Sequence, residues 1–264
     1  MVAGETEKLS VIRITEQGRN EIEDVVIREI PLTIFLNGQE LVTLLCSPTS
    51  QKYLAVGFLV SEGLVSTKDD IKDIVVDNRK GMVHVHTSEG KELAADFMFK
   101  RMITSGCGRG ATFYNVADAQ GRVQVESRIM ISADEVFSLV REFQHRSEIF
   151  KKTGGVHSAA LCQNTDILVF HEDIGRHNAI DKVFGECILN DIPTADRIVV
   201  TSGRVSSEIL LKISKRNIPV LISKSAPTDQ GVKLATDMGV TLVGFVRGKK
   251  MNVYANEWRI ANHD

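Results

Sequence analysis

Short apolar runs separated by polar turns fill the first part of the chain and predict β-strands. Two of these runs flank Asn37-Gly38, a dipeptide that favours a tight hairpin because both residues tolerate a positive φ. Apolar positions within 54–60 follow a helical period, which predicts a helix after the hairpin. These patterns predict a small β-rich domain over residues 1–130.

After residue 130 the pattern changes to short apolar strands that alternate with helices. Ser132 and Glu135 have the spacing of a capping box, which predicts that a helix begins there. Strands are predicted at 159–162, 167–170, 197–201, 220–223 and 240–246, and helices at 180–189, 206–215 and 230–238. Such alternation is typical of a mainly parallel sheet that helices cover on both faces. We therefore predict an α/β domain over residues 131–264.

Composition narrows the classes of function. The 264-residue chain has 43% hydrophobic residues, a formal charge of −2 and a pI near 6.4, so it lacks the signature of a general nucleic-acid binder. Its first residues lack the pattern of a signal peptide, and no apolar run approaches the roughly 18 residues that span a bilayer. The four cysteines show neither disulfide-framework nor zinc spacing, which favours a reducing cytoplasm.

Cys107 is the strongest candidate for covalent chemistry. It lies in a glycine-rich segment that reads Thr104-Ser105-Gly106-Cys107-Gly108-Arg109-Gly110. The glycines give the backbone freedom and leave the sulfur without a side-chain shield. Arg109 and open backbone N–H groups would favour the thiolate, which is the form that acts as a nucleophile or carries sulfur. The alternative is a glycine-rich turn that happens to contain a small apolar residue.

Polar residues follow several of the predicted strands at the points where those strands end. In open α/β sheets, ligands bind at the carboxyl ends of the strands, where helix N-termini offer N–H donors to anions. The candidate ligand-binding residues are Arg176, His177, Asn178, Ser202, Gly203, Arg204 and Ser225. Helix capping is an alternative explanation for Ser202, Thr228 and Asp173. It does not account for the cluster that begins at Arg176, or for Arg204.

A second basic segment follows the last predicted strand. It comprises Phe245, Val246, Arg247, Gly248, Lys249 and Lys250. A strand that runs into a basic glycine turn and returns is suited to clamping phosphate, and a solvated hairpin loop is the alternative. The sequence contains no Walker A motif, no GxGxxG after a strand and no deaminase zinc signature, and we predict no metal site.

Seven motifs, in this order, resemble the formate dehydrogenase accessory sulfurtransferase family (FdhD/NarQ), whose members are sulfur carriers that prepare a molybdenum cofactor. The motifs are LAVGFL (54–59) with EG (62–63), SGCG (105–108), GGVH (154–157), EDIGRHNAIDK (172–182), TSGR (201–204), SAPT (225–228) and GFVRG (244–248). The resemblance covers nearly the whole chain. It implies a C-terminal domain similar to the cytidine deaminase fold, with three α/β/α layers but without its zinc ligands. The protein would be α+β overall.

The resemblance also implies a function. Cys107 would accept sulfur as a persulfide from a cysteine desulfurase and transfer it to the molybdenum bis(molybdopterin guanine dinucleotide) cofactor, before that cofactor enters formate dehydrogenase. The strand-end residues and the 245–250 turn would hold the cofactor, and GDP-like nucleotides would bind the same site. The protein would be a cytoplasmic homodimer and a sulfurtransferase-type accessory protein, with no nucleic-acid or membrane partner.

One residue departs from the family pattern. Well-known members carry Cys-x-x-Cys in the glycine-rich segment, and here Gly110 takes the second position, so a disulfide within the segment is excluded. A persulfide needs only one thiolate. Two other functions stay open: a chaperone that binds the cofactor without covalent chemistry, and a cysteine hydrolase in which His157 or His177 activates Cys107.

Overall fold

The first half of the chain forms a two-stranded ribbon and a four-stranded sheet. The structure, a computed structural model, describes residues 4–88, 101–103, 111–113 and 124–261. The antiparallel ribbon consists of β1 (Thr6–Thr15) and β2 (Gly18–Ile27). The sheet has the order β4-β3-β6-β5 and consists of β3 (Ile30–Leu36), β4 (Gln39–Cys46), β5 (Ile71–Asp77) and β6 (Met82–Thr87).

Helix α1 (Gln51–Ser61) covers this sheet because its apolar residues need a partner surface. Leu54 and Leu59 of α1 are fully buried in one core with Ile34 and Val83 of the strands. The predicted hairpin is confirmed, since Asn37-Gly38 joins β3 to β4 with positive φ at both residues.

A short antiparallel pair follows, formed by β7 (Arg101–Ile103) and β8 (Ala111–Phe113). The segment with Cys107, residues 104–110, lies outside the described residues. The predicted reactivity of this cysteine therefore stays a prediction, as does the domain boundary near residue 130.

The second half is built on a six-stranded sheet with the order β11-β10-β12-β13-β14-β15. Its strands are β10 (His157–Gln163), β11 (Asp166–Asp173), β12 (Ile198–Thr201), β13 (Val220–Ser223), β14 (Thr241–Arg247) and β15 (Lys250–Ala255). The helices are α2 (Ala133–Arg146), α3 (Glu148–Thr153), α4 (Arg176–Leu189), α5 (Ser207–Lys215) and α6 (Asp229–Asp237). Two short strands, β9 (Ile131–Ser132) and β16 (Ile260–Ala261), pair beside this sheet.

Helices cover both faces of the large sheet, which confirms the three-layer α/β/α arrangement. Helices α4, α5 and α6 share one apolar core with one face of the strands, and α2 shares a second core with the other face. The capping box at the start of α2 is also confirmed. The Glu135 N–H donates to the Ser132 hydroxyl at 3.2 Å, and the Ser132 N–H donates to the Glu135 carboxylate at 2.7 Å.

The expectation of a mainly parallel sheet is wrong. Only β12-β13 and β13-β14 are parallel, while the β10-β11, β10-β12 and β14-β15 pairs are antiparallel. The physical reason lies in the connections. Two-residue turns join β10 to β11 and β14 to β15, and a turn this short can link only antiparallel neighbours.

The two halves meet where α1 packs against α4 with almost no space between the helix backbones. A Cβ atom on Gly57 of α1 would lie 1.7 Å from the backbone oxygen of Asp181, and one on Gly185 of α4 would lie 1.9 Å from that of Tyr53. Only glycine permits this approach. In the described part of the chain, no helix is long and apolar enough to cross a membrane.

Candidate functional site

The candidate binding residues come together at one edge of the six-stranded sheet, because strand direction decides which ends meet. Strands β12, β13 and β14 are parallel, so their carboxyl ends lie at the same edge. Strand β10 is antiparallel to β12, which brings its first residue, His157, to that edge, and β11 ends there at Asp173. Backbone hydrogen bonds tie the strand-end loops together, from Lys224 N–H to Thr201 O (3.2 Å) and from Phe245 N–H to Ser225 O (3.2 Å).

We name this region the strand-end edge and define it by the candidate residues that lie on it. They are Arg176, His177, Asn178, Ser202, Gly203, Arg204, Ser225, Phe245 and Arg247, while Gly248 and Lys249 form the turn that continues from β14 into Lys250. Val246 differs from the others because its side chain is 1% exposed and packs in the core against α2. A ligand could therefore reach only its backbone.

A cavity of about 540 Å³ opens beside the strand-end edge, between the sheet and helices α2 and α3. Apolar side chains form part of its wall, and the polar groups of Ser202, Lys224 and His157 also line it. The apolar members are Phe143, Phe150, Val156 and Ile174. An apolar cavity with a few convergent polar groups is the usual form of a small-molecule site.

The sequence predicts only part of this cavity. Ser202 was a predicted contact and Lys224 belongs to a strand-end segment whose lysine suits a phosphorylated ligand, whereas the wall from α2 and α3 was not predicted. The sequence signal for Lys224 is its position, because it directly follows a buried strand and stands in a polar loop. The α2–α3 wall gave none, because its apolar residues look like ordinary core positions.

Lys224, which directly follows β13, and Arg247, the last residue of β14, place two positive charges near each other at the strand-end edge. Burial, and after it the repulsion from the Arg247 charge, lowers the pKa of Lys224. Neither makes an ion pair with an acidic side chain among the described residues. Two like charges near each other without an acidic partner favour the binding of an anion.

His157 stands in the cavity wall as a neutral donor or acceptor. Its Nδ1 lies 3.4 Å from the Ser202 hydroxyl, which also accepts a hydrogen bond from the Ser158 N–H at 2.9 Å. Burial and the nearby Arg176 charge lower the pKa of His157. The ring is therefore uncharged at neutral pH and can hydrogen-bond to a ligand in the cavity.

Helix capping, the alternative to ligand binding, accounts for Thr228 but not for Ser202. Thr228 does cap α6, since its hydroxyl accepts a hydrogen bond from the Gly231 N–H at 3.1 Å. Ser202 caps no helix, because Ser206 holds the position before α5 and Ser202 is bound to β10 instead. Capping is therefore wrong as an explanation for Ser202.

A buried ion pair fixes the turn that leads into α4. The Lys182 ammonium lies 2.7 Å from the Asp173 carboxylate, and both side chains are fully buried. Lys182 also donates to the Ser47 hydroxyl at 2.8 Å, and the Ser47 N–H donates to Asp173 at 3.1 Å. The Asn178 amide donates both to Asp173 and to Leu45 O at 2.9 Å, so a ligand could contact only its oxygen. These residues join the two halves of the protein.

A second buried pair involves Asp181, the residue of α4 that directly precedes Lys182. The Lys212 ammonium is 2.6 Å from the Asp181 carboxylate, which also accepts a hydrogen bond from the Ser61 hydroxyl at 2.6 Å. His177 lies nearby, with its Nε2 3.4 Å from Glu208. Burial, followed by the charges of Lys212 and Arg176, lowers the pKa of His177 to about 3. His177 is therefore neutral at physiological pH.

The three described cysteines are unsuited to thiolate chemistry. Cys46, Cys162 and Cys187 are all buried and free, as their apolar sequence contexts predict. Burial raises the pKa of each thiol to about 12. The described residues also contain no group of three or more His, Cys, Asp or Glu side chains placed to hold a metal ion.

Comparison with known proteins identifies the family to which this chain belongs. The profile of the FdhD/NarQ family matches residues 27–261. Two similar relatives are named sulfur carrier protein FdhD: one from Bacillus pumilus is 44% identical, with 90% of each chain covered, and one from Staphylococcus aureus is 41% identical, with 91% of each covered. A crystal structure assigned as a formate dehydrogenase accessory protein from Desulfotalea psychrophila superposes with a TM-score of 0.81. It is 27% identical and matches over 98% of this chain and 100% of that one. These matches show that the chain belongs to the FdhD/NarQ family.

Proposed function

We propose that this protein is a sulfur carrier for the maturation of formate dehydrogenase, with Cys107 as the sulfur-carrying residue. The Cys107 thiolate would attack the outer sulfur of a persulfide on a cysteine desulfurase. One S–S bond forms at Cys107 as the S–S bond on the desulfurase breaks, and the desulfurase cysteine leaves as a thiolate. This exchange requires no external oxidant or reductant. In the second step the Cys107 S–S bond breaks, a thiol reductant supplies two electrons, Cys107 leaves as a thiolate, and the sulfur, now at the sulfide level, passes to the molybdenum bis(molybdopterin guanine dinucleotide) cofactor, which is the substrate.

The observation that carries this proposal is the burial of the other thiols. The chain has four cysteines, and three of them are buried with pKa values near 12. Cys107 is the remaining thiol, and its glycine-rich, arginine-flanked segment has the composition of a reactive site. The names of the relatives support sulfur transport as the use of that thiol.

The strand-end edge supports the second part of the proposal, in which a dinucleotide cofactor is held nearby. A pyrophosphate is the anion that Lys224 and Arg247 would pair with, and the cavity next to them has room for a planar ring. Ser202 and His157 would hydrogen-bond to the ligand. A homodimer and a cytoplasmic location complete the proposal.

The missing second cysteine favours one other function. With Gly110 in place of that cysteine, no relay between two sulfurs of the segment is available, so the protein could hold the cofactor without covalent chemistry. Both functions use the strand-end edge, and only the first requires Cys107.

Complementation distinguishes the two functions. In a cell that lacks its own copy, Cys107→Ala should abolish formate dehydrogenase activity, while the unaltered protein restores it. Cys187→Ser serves as the control for loss of a thiol elsewhere, provided that both variants accumulate to the same level. Full activity with Cys107→Ala would leave the non-covalent function and end the sulfur-carrier proposal.

Nucleotide binding tests the cofactor part. The cofactor ends in guanine nucleotides, so we expect GDP to bind with its phosphates at the strand-end edge and ADP to bind more weakly. Calorimetry with both nucleotides measures the difference. Equal binding of the two, or no binding, would contradict a site shaped for the guanine end of the cofactor.

A further inference from the structure

The ribbon of β1 and β2 joins neither of the two larger sheets, and one edge of β1 is open. In the part of the chain that the structure describes, β1 pairs only with β2. The strands extend for about 34 Å, since each residue of an antiparallel strand advances about 3.4 Å. Only the base is anchored, where Ile27 packs so closely on Gly155 that a Cβ atom there would lie 2.8 Å from its side chain. Beyond that base, most side chains of residues 7–21 are exposed.

Three large apolar side chains of β1 are open to solvent. Ile14 is 73% exposed, Ile12 47% and Leu9 43%. An isolated two-stranded ribbon is at best marginally stable in water, and a long unpaired edge attracts further strands. Proteins that keep an edge strand single usually shorten it or place proline in it, whereas β1 has ten residues and no proline. These features indicate that another strand covers β1.

The hydrogen-bonding pattern of the ribbon determines which backbone groups of β1 are free. A two-residue turn at Glu16-Gln17 joins the strands, with Thr15 opposite Gly18. The residues that flank such a turn exchange both backbone hydrogen bonds, and bonded and non-bonded pairs then alternate along the ribbon. The odd-numbered residues of β1 therefore bond to β2, while the N–H and C=O groups of its even-numbered residues point to the open edge.

The open edge of β1 is complementary to itself. In an antiparallel pair of two β1 strands, even-numbered residues must lie opposite even-numbered residues, because only these have free backbone groups. A two-fold axis at Ser10 sets Glu7 opposite the partner's Arg13 and Leu9 opposite the partner's Val11, and the symmetry repeats each pair. A shift of the axis to Val11 would set Arg13 opposite Leu9, and a shift to Leu9 would set Glu7 opposite Val11. Only the axis at Ser10 places opposite charges on facing residues of the two strands.

Arg13 lacks a counter-ion within its own chain. It makes no ion pair with an acidic side chain among the described residues. Glu7 contacts Arg28 at 3.2 Å, but both side chains are partly exposed and such a pair contributes little. An acid supplied by a second copy would therefore give Arg13 the partner that its own chain does not.

The edge of β2 is not complementary to itself. Glu21, Glu23 and Asp24 make this strand acidic, with Arg19 as its only cation. Two β2 edges would bring like charges together, which destabilises cross-strand pairs. Charge therefore selects the β1 edge.

We propose that β1 pairs with β1 of a second copy of this chain, antiparallel about a two-fold axis at Ser10, so that two ribbons form one four-stranded sheet across a dimer. The inference rests on the homodimer of the proposed function and identifies its interface. Leu9 packs beside the partner's Val11, and the aliphatic stem of Lys8 lies along the partner's Ile12. The sheet thereby covers apolar side chains that are exposed in a single chain.

A charge swap tests the interface in analytical ultracentrifugation of the full chain. The unaltered protein should sediment at twice the 29.2 kDa of one chain. Arg13→Glu should weaken dimerisation by about tenfold or more, because like charges would then face each other twice. The double variant Glu7→Arg/Arg13→Glu should restore the dimer. Arg19→Glu, at an exposed residue of β2, is the control and should dimerise normally.

A cross-link tests the register. In a Cys107→Ala background, Ser10→Cys should form a disulfide-linked dimer on mild oxidation, because the Cα atoms of a hydrogen-bonded antiparallel pair are about 5.5 Å apart, within reach of a disulfide. Thr15→Cys is the matched control and should not cross-link, since in this register the two copies of Thr15 lie at opposite ends of the sheet. Ser10→Pro should abolish the dimer and keep the ribbon, because the Ser10 N–H points away from β2.

Three results would overturn the inference and leave the proposed homodimer standing. They are a dimer that persists in both Arg13→Glu and Ser10→Pro, a weakened Arg13→Glu dimer that the double variant does not restore, and equal cross-linking of Ser10→Cys and Thr15→Cys. If the unaltered protein were a monomer, the homodimer and this inference would fail together. The proposed sulfur transfer at Cys107 would be untouched by any of these results.

Discussion

Two regions of this protein are rich in charged residues and differ in what those charges face. Along α4, the Asp173–Lys182 and Asp181–Lys212 pairs are buried, and each charge meets its opposite within 2.7 Å. At the strand-end edge, Lys224 and Arg247 lie close enough for the Arg247 charge to lower the pKa of Lys224, and neither pairs with an acid among the described residues. The first arrangement holds the protein together, and the second is where our proposal places an external anion.

The sequence of a charged motif does not show whether its charges stabilise the fold or bind a ligand. The Arg176–Lys182 run and the Arg247 turn both belong to the motifs that resemble the family, and both contain polar residues after a strand. In the folded protein, most of the first run is used internally, and only the second is left open. The presence or absence of an opposite charge in the protein separates structural charges from binding charges.

The largest effect is expected from breaking a buried pair. Lys182→Met would leave the Asp173 carboxylate buried without its partner, so we expect a loss of about 3–5 kcal/mol in the free energy of unfolding. Lys68→Met is the control, because the Lys68–Asp191 pair is exposed and should contribute less than about 1 kcal/mol. Urea denaturation measures both. Similar losses in the two variants would mean that burial does not distinguish these pairs.

At the strand-end edge, we expect a substitution to weaken ligand binding and to leave the free energy of unfolding nearly unchanged. Arg247→Ala should weaken cofactor or GDP binding by about 1.5–3 kcal/mol, the range for hydrogen bonds to charged groups. The free energy of unfolding should stay within about 0.5 kcal/mol, since the side chain is exposed and lacks an acidic partner among the described residues. Lys80→Ala, at an exposed lysine in the turn between β5 and β6, is the control.

Persulfide formation at Cys107 should be normal in Arg247→Ala, because that step needs only the desulfurase and an accessible thiol. Loss of both binding and persulfide formation would point instead to a surface that the desulfurase contacts. Loss of neither would show that this turn is a solvated hairpin.

The α1–α4 junction offers a test in which the direction of the change in stability decides the outcome. In an exposed helix, Gly→Ala stabilises by about 1 kcal/mol. Gly57→Ala should instead destabilise by about 1–3 kcal/mol, because its new methyl group would overlap the Asp181 backbone and push the helices apart. A stabilised Gly57→Ala protein in thermal or urea unfolding would show that the two helices are not in backbone contact.

The smallest effect concerns pH. The pKa of His177 is lowered in the folded protein. Below about pH 6.5, the ordinary pKa of histidine, the unfolded chain therefore binds a proton at this residue and the folded chain does not. Stability from this group is thus present above that pH and is lost as the pH falls, by at most about 1.4 kcal/mol per unit. His177→Gln should flatten the fall in unfolding free energy between about pH 7 and pH 5. Equal slopes in His177→Gln and the unaltered protein would refute the assignment.

Local signals predicted the local structure well. Asn37-Gly38 forms the hairpin and Ser132–Glu135 forms the cap, because each depends only on neighbouring residues. The strand-end edge was also predictable, since the alternation of strands and helices brings several polar loops together. The sequence could not show that Lys182 is structural, because Ser47, which it contacts, lies 135 positions away along the chain.

Two other features were not predicted correctly from the sequence, and both depend on non-local structure. Val246 was expected at the site, but a β-bulge between Gly244 and Arg247 breaks the two-residue period of the strand and directs its side chain into the core. The α2–α3 wall of the cavity was not expected, because apolar helix residues that line a cavity have the same sequence pattern as residues that fill a core. Both depend on how elements pack, which periodicity does not report.

Intact-mass analysis after incubation with a cysteine desulfurase and cysteine tests the sulfur-carrier function most directly. We expect the unaltered protein to gain the mass of one sulfur atom, removable by a thiol reductant, and Cys107→Ala to gain none. Cys46, Cys162 and Cys187 should stay unmodified because they are buried with raised pKa values. A sulfur adduct that persists in Cys107→Ala, or no adduct on the unaltered protein, would contradict the proposal that Cys107 carries the sulfur.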